Sequence, residues 1–113
     1  MESLDWIEEF VGAITITDLE GRIIYLNQKA AEVFAAEGGK ELVGKNIFAC
    51  HRAESAAKIK QILETGQPNV YTIEKNGQKK IIFQSCWTAG GEKRGLVELS
   101  LEIPPEVPHF VRS

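Results

Sequence analysis

A chain of 113 residues is long enough for one hydrophobic core, and 43% hydrophobic with 26% charged residues is the balance of an ordinary globular domain. A net charge of −3 without a basic block argues against nucleic acid or an anionic membrane as partner, and the apolar runs are far too short to span a bilayer. The acidic start Met1-Glu2-Ser3 is unlike a secretion signal, and two cysteines, Cys50 and Cys86, make no disulfide framework, so a cytoplasmic protein or a soluble piece of a larger one is expected.

Taken in order, Leu4, Ile7 and Phe10, with Trp6 beside them, predict an amphipathic helix within residues 1–11, capped by Ser3 and stopped by Gly12. Ile14 to Asp18 alternates as a half-buried strand does. Asp18-Leu19-Glu20-Gly21 suits a type I turn, and Arg22 to Leu26 is the returning strand. Asn27 is placed to cap a helix from Gln28 to Ala36, a cap worth about 1 kcal/mol. Ala30, Val33 and Phe34 make the apolar face of that helix, and Gly38-Gly39 ends it. Asn46 starts a helical turn from Ile47 to Cys50, with Ile47 and Phe48 pointing inward. Ala53 to Thr65 is the longest helical pattern, with Ala56, Ile59, Ile62 and Leu63 buried and Gly66 as the stop. Three strands follow: Val70 to Lys75, Lys79 to Thr88 and Gly95 to Ile103. The first two are joined at Asn76-Gly77 and the last two by a tip at Ala89 to Lys93. Pro104, Pro105 and Pro108 predict an extended tail over residues 104–113.

Strand, Asp-x-x-Gly turn, strand, Asn cap and Ala-rich helix together resemble the first half of a PAS domain, a sensory module of signalling proteins. The residues that carry the resemblance are Thr17-Asp18, Gly21-Arg22-Ile23, Tyr25, Asn27, Ala30-Ala31 and Phe34, then Glu41-Leu42-Val43-Gly44-Lys45. The resemblance implies an α+β fold over residues 12–103. Its five-stranded antiparallel sheet would run in the order 2-1-5-4-3, with helices on one face and the N-terminal helix as a cap. It also implies a signal-transduction role, with a small-molecule ligand, a homodimer, and a linked output domain or partner protein. Where many relatives end in Asp-hydrophobic-Thr and run into a signalling helix, this chain has Glu102-Ile103-Pro104-Pro105.

Cys50-His51 is the most suggestive chemical pair. Some relatives hold haem through a histidine on the long helix, and some show Cys-His-Pro where this chain has Cys50-His51-Arg52. Imidazole and thiolate both ligate iron. The plainer reading is a helix-start histidine beside an inert buried cysteine. Light-sensing relatives place their reactive cysteine where this chain has Ile47, so flavin photochemistry is not expected. Nor is catalysis. Asp18, Glu20, Glu41 and Glu54 fall at turns and helix starts, Ser85 and Cys86 sit on a strand without a nucleophile elbow, and no helix follows Gly90-Gly91. His109 lies in the tail.

The strand register decides which face does what. A two-residue turn at Asn76-Gly77 pairs Tyr71 with Ile82. A three-residue loop pairs Tyr71 with Phe83 and Ile73 with Ile81, keeps apolar residues opposite one another, and is the register expected. Matching the family's parity then puts Thr15, Thr17, Thr72, Ile82, Gln84, Cys86, Glu98 and Ser100 on the helix side. A polar pocket would form near Phe34, Ile47, Phe48, Cys50, His51, Ile59, Thr72, Ile82, Gln84, Cys86 and Ser100. The other face would carry Tyr71, Ile81, Phe83, Trp87 and Leu99, and with Leu4, Trp6, Ile7 and Phe10 would build a homodimer. Two readings stay open: a ligand sensor, or an interaction module whose interior is filled by its own side chains.

Overall fold

The structure, a computed structural model, describes residues 5–47 and 53–113. Leu4, Phe48, Cys50 and His51, and with them most of the helical turn expected after Asn46, lie outside the described residues. The elements are α1 (Asp5–Glu9), β1 (Ala13–Thr17), β2 (Ile23–Leu26), α2 (Gln28–Val33), two short 3-10 turns (Ala35–Glu37 and Gly39–Leu42), α3 (Ala53–Thr65), β3 (Asn69–Lys75), β4 (Gln78–Ala89) and β5 (Glu92–Ile103). The strands form one antiparallel sheet in the order β2-β1-β5-β4-β3. Residues 104–113 follow β5 without regular structure.

The Asp18 turn forms as its residues dictate. Gly21 N–H donates to Asp18 O at 3.1 Å, and the Asp18 carboxylate accepts from the amides of Glu20 and Arg22, each at 2.9 Å. The segment after the second 3-10 turn then covers the free edge of β2. Ile23 N–H donates to Lys45 O at 2.8 Å, Gly44 N–H to Ile23 O at 2.7 Å, and the Arg22 guanidinium to Gly44 O at 2.8 Å. Pairing with this loop spares β2 the hazards of an open sheet edge.

Two expectations are corrected here. The α-helix after Asn27 ends at Val33, the chain tightening into a 3-10 turn, and Val33 is exposed; Ala30 and Phe34 alone carry that helix's inward face. The β3–β4 hairpin has the two-residue turn, with Lys75 opposite Gln78, Ile73 opposite Lys80 and Tyr71 opposite Ile82. Asn76 and Gly77 both take positive φ, 54° and 77°, the mirror-image turn whose twist matches that of paired strands. Turn chemistry outweighs the matching of apolar neighbours. Tyr71 therefore joins the helix-covered face, and Thr72, opposite Ile81, lies on the other.

The core sits between that face and the helices: Ala13, Ile23, Leu26, Ala30, Leu42, Ile47, Ile59, Ile62 and Leu96, with Phe34, Leu63 and Cys86 packed against them. The outer face carries a row Ile14–Leu99–Phe83–Val70 across four strands. Ile14 is buried, whereas Phe83 and Val70 are 38% and 48% exposed. Trp87 is half-buried on this face, its indole N–H donating to Thr17 O at 2.8 Å. Gly95 makes this approach possible, since a Cβ there would stand 1.9 Å from that same carbonyl oxygen.

Helix α1 is too short to persist alone. Glu8 holds it: the Tyr25 hydroxyl donates to one carboxylate oxygen and Lys40 Nζ to the other at 2.9 Å. The Lys40 ammonium also donates to Leu26 O and lies 5.4 Å from the centre of the Tyr25 ring. Burial, then the hydrogen bond and charge of Glu8, push the Tyr25 phenol up to about 12. A phenol held protonated by the fold contributes stability that is fully present below its unfolded value of roughly 10 and is lost as pH rises through the folded value. Alkaline titration should therefore show one tyrosine ionising near 12, with α1 amide protection lost in the same step. Tyr25→Phe should abolish that step; a normal phenol titration for both tyrosines would refute the contact.

Asn27 does more than cap α2. Its Oδ1 accepts from Ala30 N–H at 2.9 Å and from Ile14 N–H at 3.0 Å, while its Nδ2 donates to Ile7 O and Gly12 O, each at 2.9 Å. The residue is fully buried. Removing such an amide strands several buried backbone groups at once, so Asn27→Ala should cost about 3 kcal/mol in a urea melt rather than the 1 kcal/mol of a simple cap. Asn27→Asp keeps the acceptor and loses the donors, and should free Asp5–Glu9 to amide exchange while α2 stays protected. Equal exchange in α1 and α2 would contradict this division.

Candidate functional site

Two clefts open between the helix-covered face of the sheet and the elements above it. The larger, about 390 Å³, is lined by Thr15, Ile23, Leu26, Phe34, Glu37, Leu42, Lys45, Ile47 and Glu98. Its size falls at the small end of the roughly 300–1,000 Å³ typical of ligand sites. Its walls follow from local structure. Thr15 and Leu26 are opposite one another on β1 and β2, Phe34 closes α2, Leu42 ends the second 3-10 turn, and Ile47 follows the strap on β2. The walls are mainly apolar, with Thr15 and Glu98 presenting polar groups from the sheet. The second cleft, about 270 Å³, lies between the start of α3 and strands β3 and β4, lined by Glu54, Ser55, Lys58, Asn69, Tyr71 and Gln84.

A chain of side chains on neighbouring strands joins the two. Asn69 Nδ2 donates to Gln84 Oε1 at 3.0 Å, and Gln84 Nε2 donates to Glu98 Oε1 at 2.9 Å. Gln84 is 4% exposed, so its amide is fixed by these bonds. Asn69 opposes Gln84, and Gln84 opposes Glu98, which is why three polar side chains can meet in a row. Burial, and next the Glu98 charge, raise the Tyr71 phenol above its ordinary range. Every buried side-chain nitrogen and oxygen among the described residues has a partner.

Of the residues the sequence put at the pocket, Phe34 and Ile47 line the larger cleft and Gln84 the smaller. Ile59 and Ile82 are buried on the helix side, and Cys86 packs there with its thiol donating to Ile62 O at 3.3 Å. Ser100 pairs with Ile82 on that face but lines neither cleft. Thr72 is on the opposite face, the consequence of the hairpin register, and Tyr71, expected at a dimer interface, is on the helix-covered face, where it remains 42% exposed at the rim of the second cleft. Phe48, Cys50 and His51 lie outside the described residues, so the haem pair has no geometry here. No group of metal-ligating side chains occurs among the described residues. Sequence reasoning missed Ile23, Leu26, Leu42, Lys45 and Glu37 as lining residues of the larger cleft. It placed Thr15 and Glu98 on the correct face without naming them as site residues. The available signal was Glu98, a carboxylate mid-strand on the side that the helices cover.

The PAS domain family model matches residues 11–95. None of the curated proteins matches the sequence significantly. Among solved structures, VqmA of Vibrio cholerae, described as a dimer with a huge conformation shift in the absence of target DNA, superposes with a TM-score of 0.71 at 19% identity, covering 99% of this chain and 56% of that one. VqmA bound to DPO gives 0.71 at 18% identity, with 90% and 57% covered. The Aer2 receptor from Vibrio cholerae, described as a dual PAS-heme oxygen sensor, gives 0.63 at 20% identity, with 87% and 99% covered. The chain thus spans little more than half the length of VqmA, and identities this low establish the fold alone. The family match over most of the chain, with the sheet order found here, makes this chain a member of the PAS domain family.

Proposed function

We propose that this PAS domain is the sensor of a cytoplasmic signalling protein, taking up a small molecule between sheet and helices and relaying its presence to a linked output domain or partner. The carrying observation is the 390 Å³ cleft, apolar along its walls and polar where Thr15 and Glu98 face it. A filled-core interaction module would close that space with side chains. The neighbours support the reading by analogy: VqmA binds DPO, and Aer2 senses oxygen with haem. Native mass spectrometry of the purified chain should reveal a small bound mass that denaturation releases. Thr15→Leu, which adds bulk to the cleft wall and deletes its hydroxyl, should lower the bound fraction while circular dichroism stays unchanged. A bare mass under the gentlest conditions would count against ligand sensing.

The partly exposed row of Leu99, Phe83 and Val70 favours a second element of the proposal, that two copies pair through the outer sheet face. The VqmA neighbour is a dimer. Ile81 and Leu99 share this face, whereas Trp87 is engaged with Thr17. Phe83→Glu should convert a dimer to a folded monomer in sedimentation velocity. A chain that is monomeric before substitution removes this element and leaves the sensor reading intact.

A further inference from the structure

We propose that the occupant of the larger cleft is a neutral or cationic ring compound that donates an N–H hydrogen bond to Glu98, an inference that rests on the ligand-sensing reading and names its ligand class. Glu98 lines the cleft, and one of its carboxylate oxygens is already held by Gln84 Nε2 at 2.9 Å. Gln84 cannot turn to offer its acceptor instead, because Asn69 Nδ2 occupies that oxygen at 3.0 Å and the side chain is buried. The pair fixes the orientation of Glu98, and its second oxygen has no hydrogen-bond partner among the described residues. An ionised carboxylate is an acceptor only, with room for further donors. Across the cleft stand Ile23, Leu26, Phe34, Leu42 and Ile47, which suit a flat apolar body. The other charged lining residues, Glu37 and Lys45, are opposite in sign, which leaves the lining with one net negative charge. A ligand carboxylate placed against Glu98 would meet like charge. An amidine, an aminated heterocycle or a ring lactam would complete a charge-assisted bond.

The test uses the whole chain, labelled with nitrogen-15, and four single-ring probes of similar size: benzamidinium, benzamide, benzoate and toluene. Benzamidinium and benzamide should shift the amide signals of Thr15, Leu26, Ile47 and Glu98, and benzoate at the same concentration should not. Glu98→Gln retains an oxygen to accept from Gln84 but turns an amide group toward the cleft. It should weaken benzamidinium about tenfold, the order expected for one charge-assisted bond, while leaving toluene unaffected. Benzoate binding as well as benzamidinium overturns the assignment, as does an unchanged benzamidinium affinity in Glu98→Gln. Entry of toluene with no preference among the polar probes removes the donor class but leaves the ligand-sensing reading standing. Failure of all four probes to shift these signals removes both.

Discussion

The fold depends on the four hydrogen bonds of one buried amide. Asn27 sits where β2 gives way to α2, and its side chain reaches back to the first amide of Ile14, forward to Ala30, and sideways to the carbonyls of Ile7 and Gly12. Without it the amides of Ile14 and Ala30 and the carbonyl of Gly12 would lose a buried partner, and a buried unpaired group costs more than a made bond returns. One residue therefore sets the distance between the N-terminal segment, the first strand and the first inward-facing helix. Aspartate could supply only the two acceptor bonds and serine could not span the set. An amide, with donor and acceptor on one short stem, meets the geometry.

The second constraint is the turn at Asn76-Gly77. In a sheet, side chains alternate between faces, so a one-residue change of register exchanges the faces of a whole strand. Here the exchange concerns Tyr71 and Thr72. With both turn residues in the left-handed region, Tyr71 lands opposite Ile82 and faces the helices. The inner face thereby gains a phenol beside Asn69 and Gln84, and the second cleft gains a wall. The outer face receives Thr72 and Val70 instead, and its apolar character then comes mainly from β1, β4 and β5.

The element order, the sheet order and the long helix were legible because each carried its own periodicity or punctuation: Asp18 and Gly21 at a turn, Ile59 and Ile62 at helical spacing, Gly66 at a stop. The face assignment of β1, β4 and β5 was legible only through family resemblance, since alternation separates two faces without saying which one the helices cover. The β3 register was misread because cross-strand apolar pairing was weighed above the local preference of Asn-Gly, and in a hairpin the turn is the stiffer of the two. The second role of Asn27 was invisible, because nothing in a sequence says that a capping side chain has two spare donors aimed at distant carbonyls. The cleft was only partly legible for a similar reason. Leu26, Leu42 and Glu98 are 16 and 56 residues apart in steps along the chain, and only the strap of Lys45 and Gly44 onto β2 brings the loop residues to the sheet.

Leu26 and its neighbours also join the cleft to the rest of the molecule. Leu26 contributes its side chain to the cleft wall, while its carbonyl accepts from Lys40 Nζ. Lys40 belongs to the same 3-10 turn as Leu42, another wall residue, and its ammonium also grips Glu8 on α1. Tyr25, the neighbour of Leu26, holds the other oxygen of Glu8, and Asn27, the next residue, holds the carbonyl of Ile7. Three consecutive residues, Tyr25, Leu26 and Asn27, thus face the outer helix, the cleft and the core in turn. The Lys40 ammonium bonds both Leu26 O and the Glu8 carboxylate, so a residue of the cleft wall and helix α1 share one cation. Helix α1, which buries no residue of its own, is therefore fastened to the wall of the 390 Å³ cleft, and the fastening is ionic and hydrogen-bonded rather than apolar.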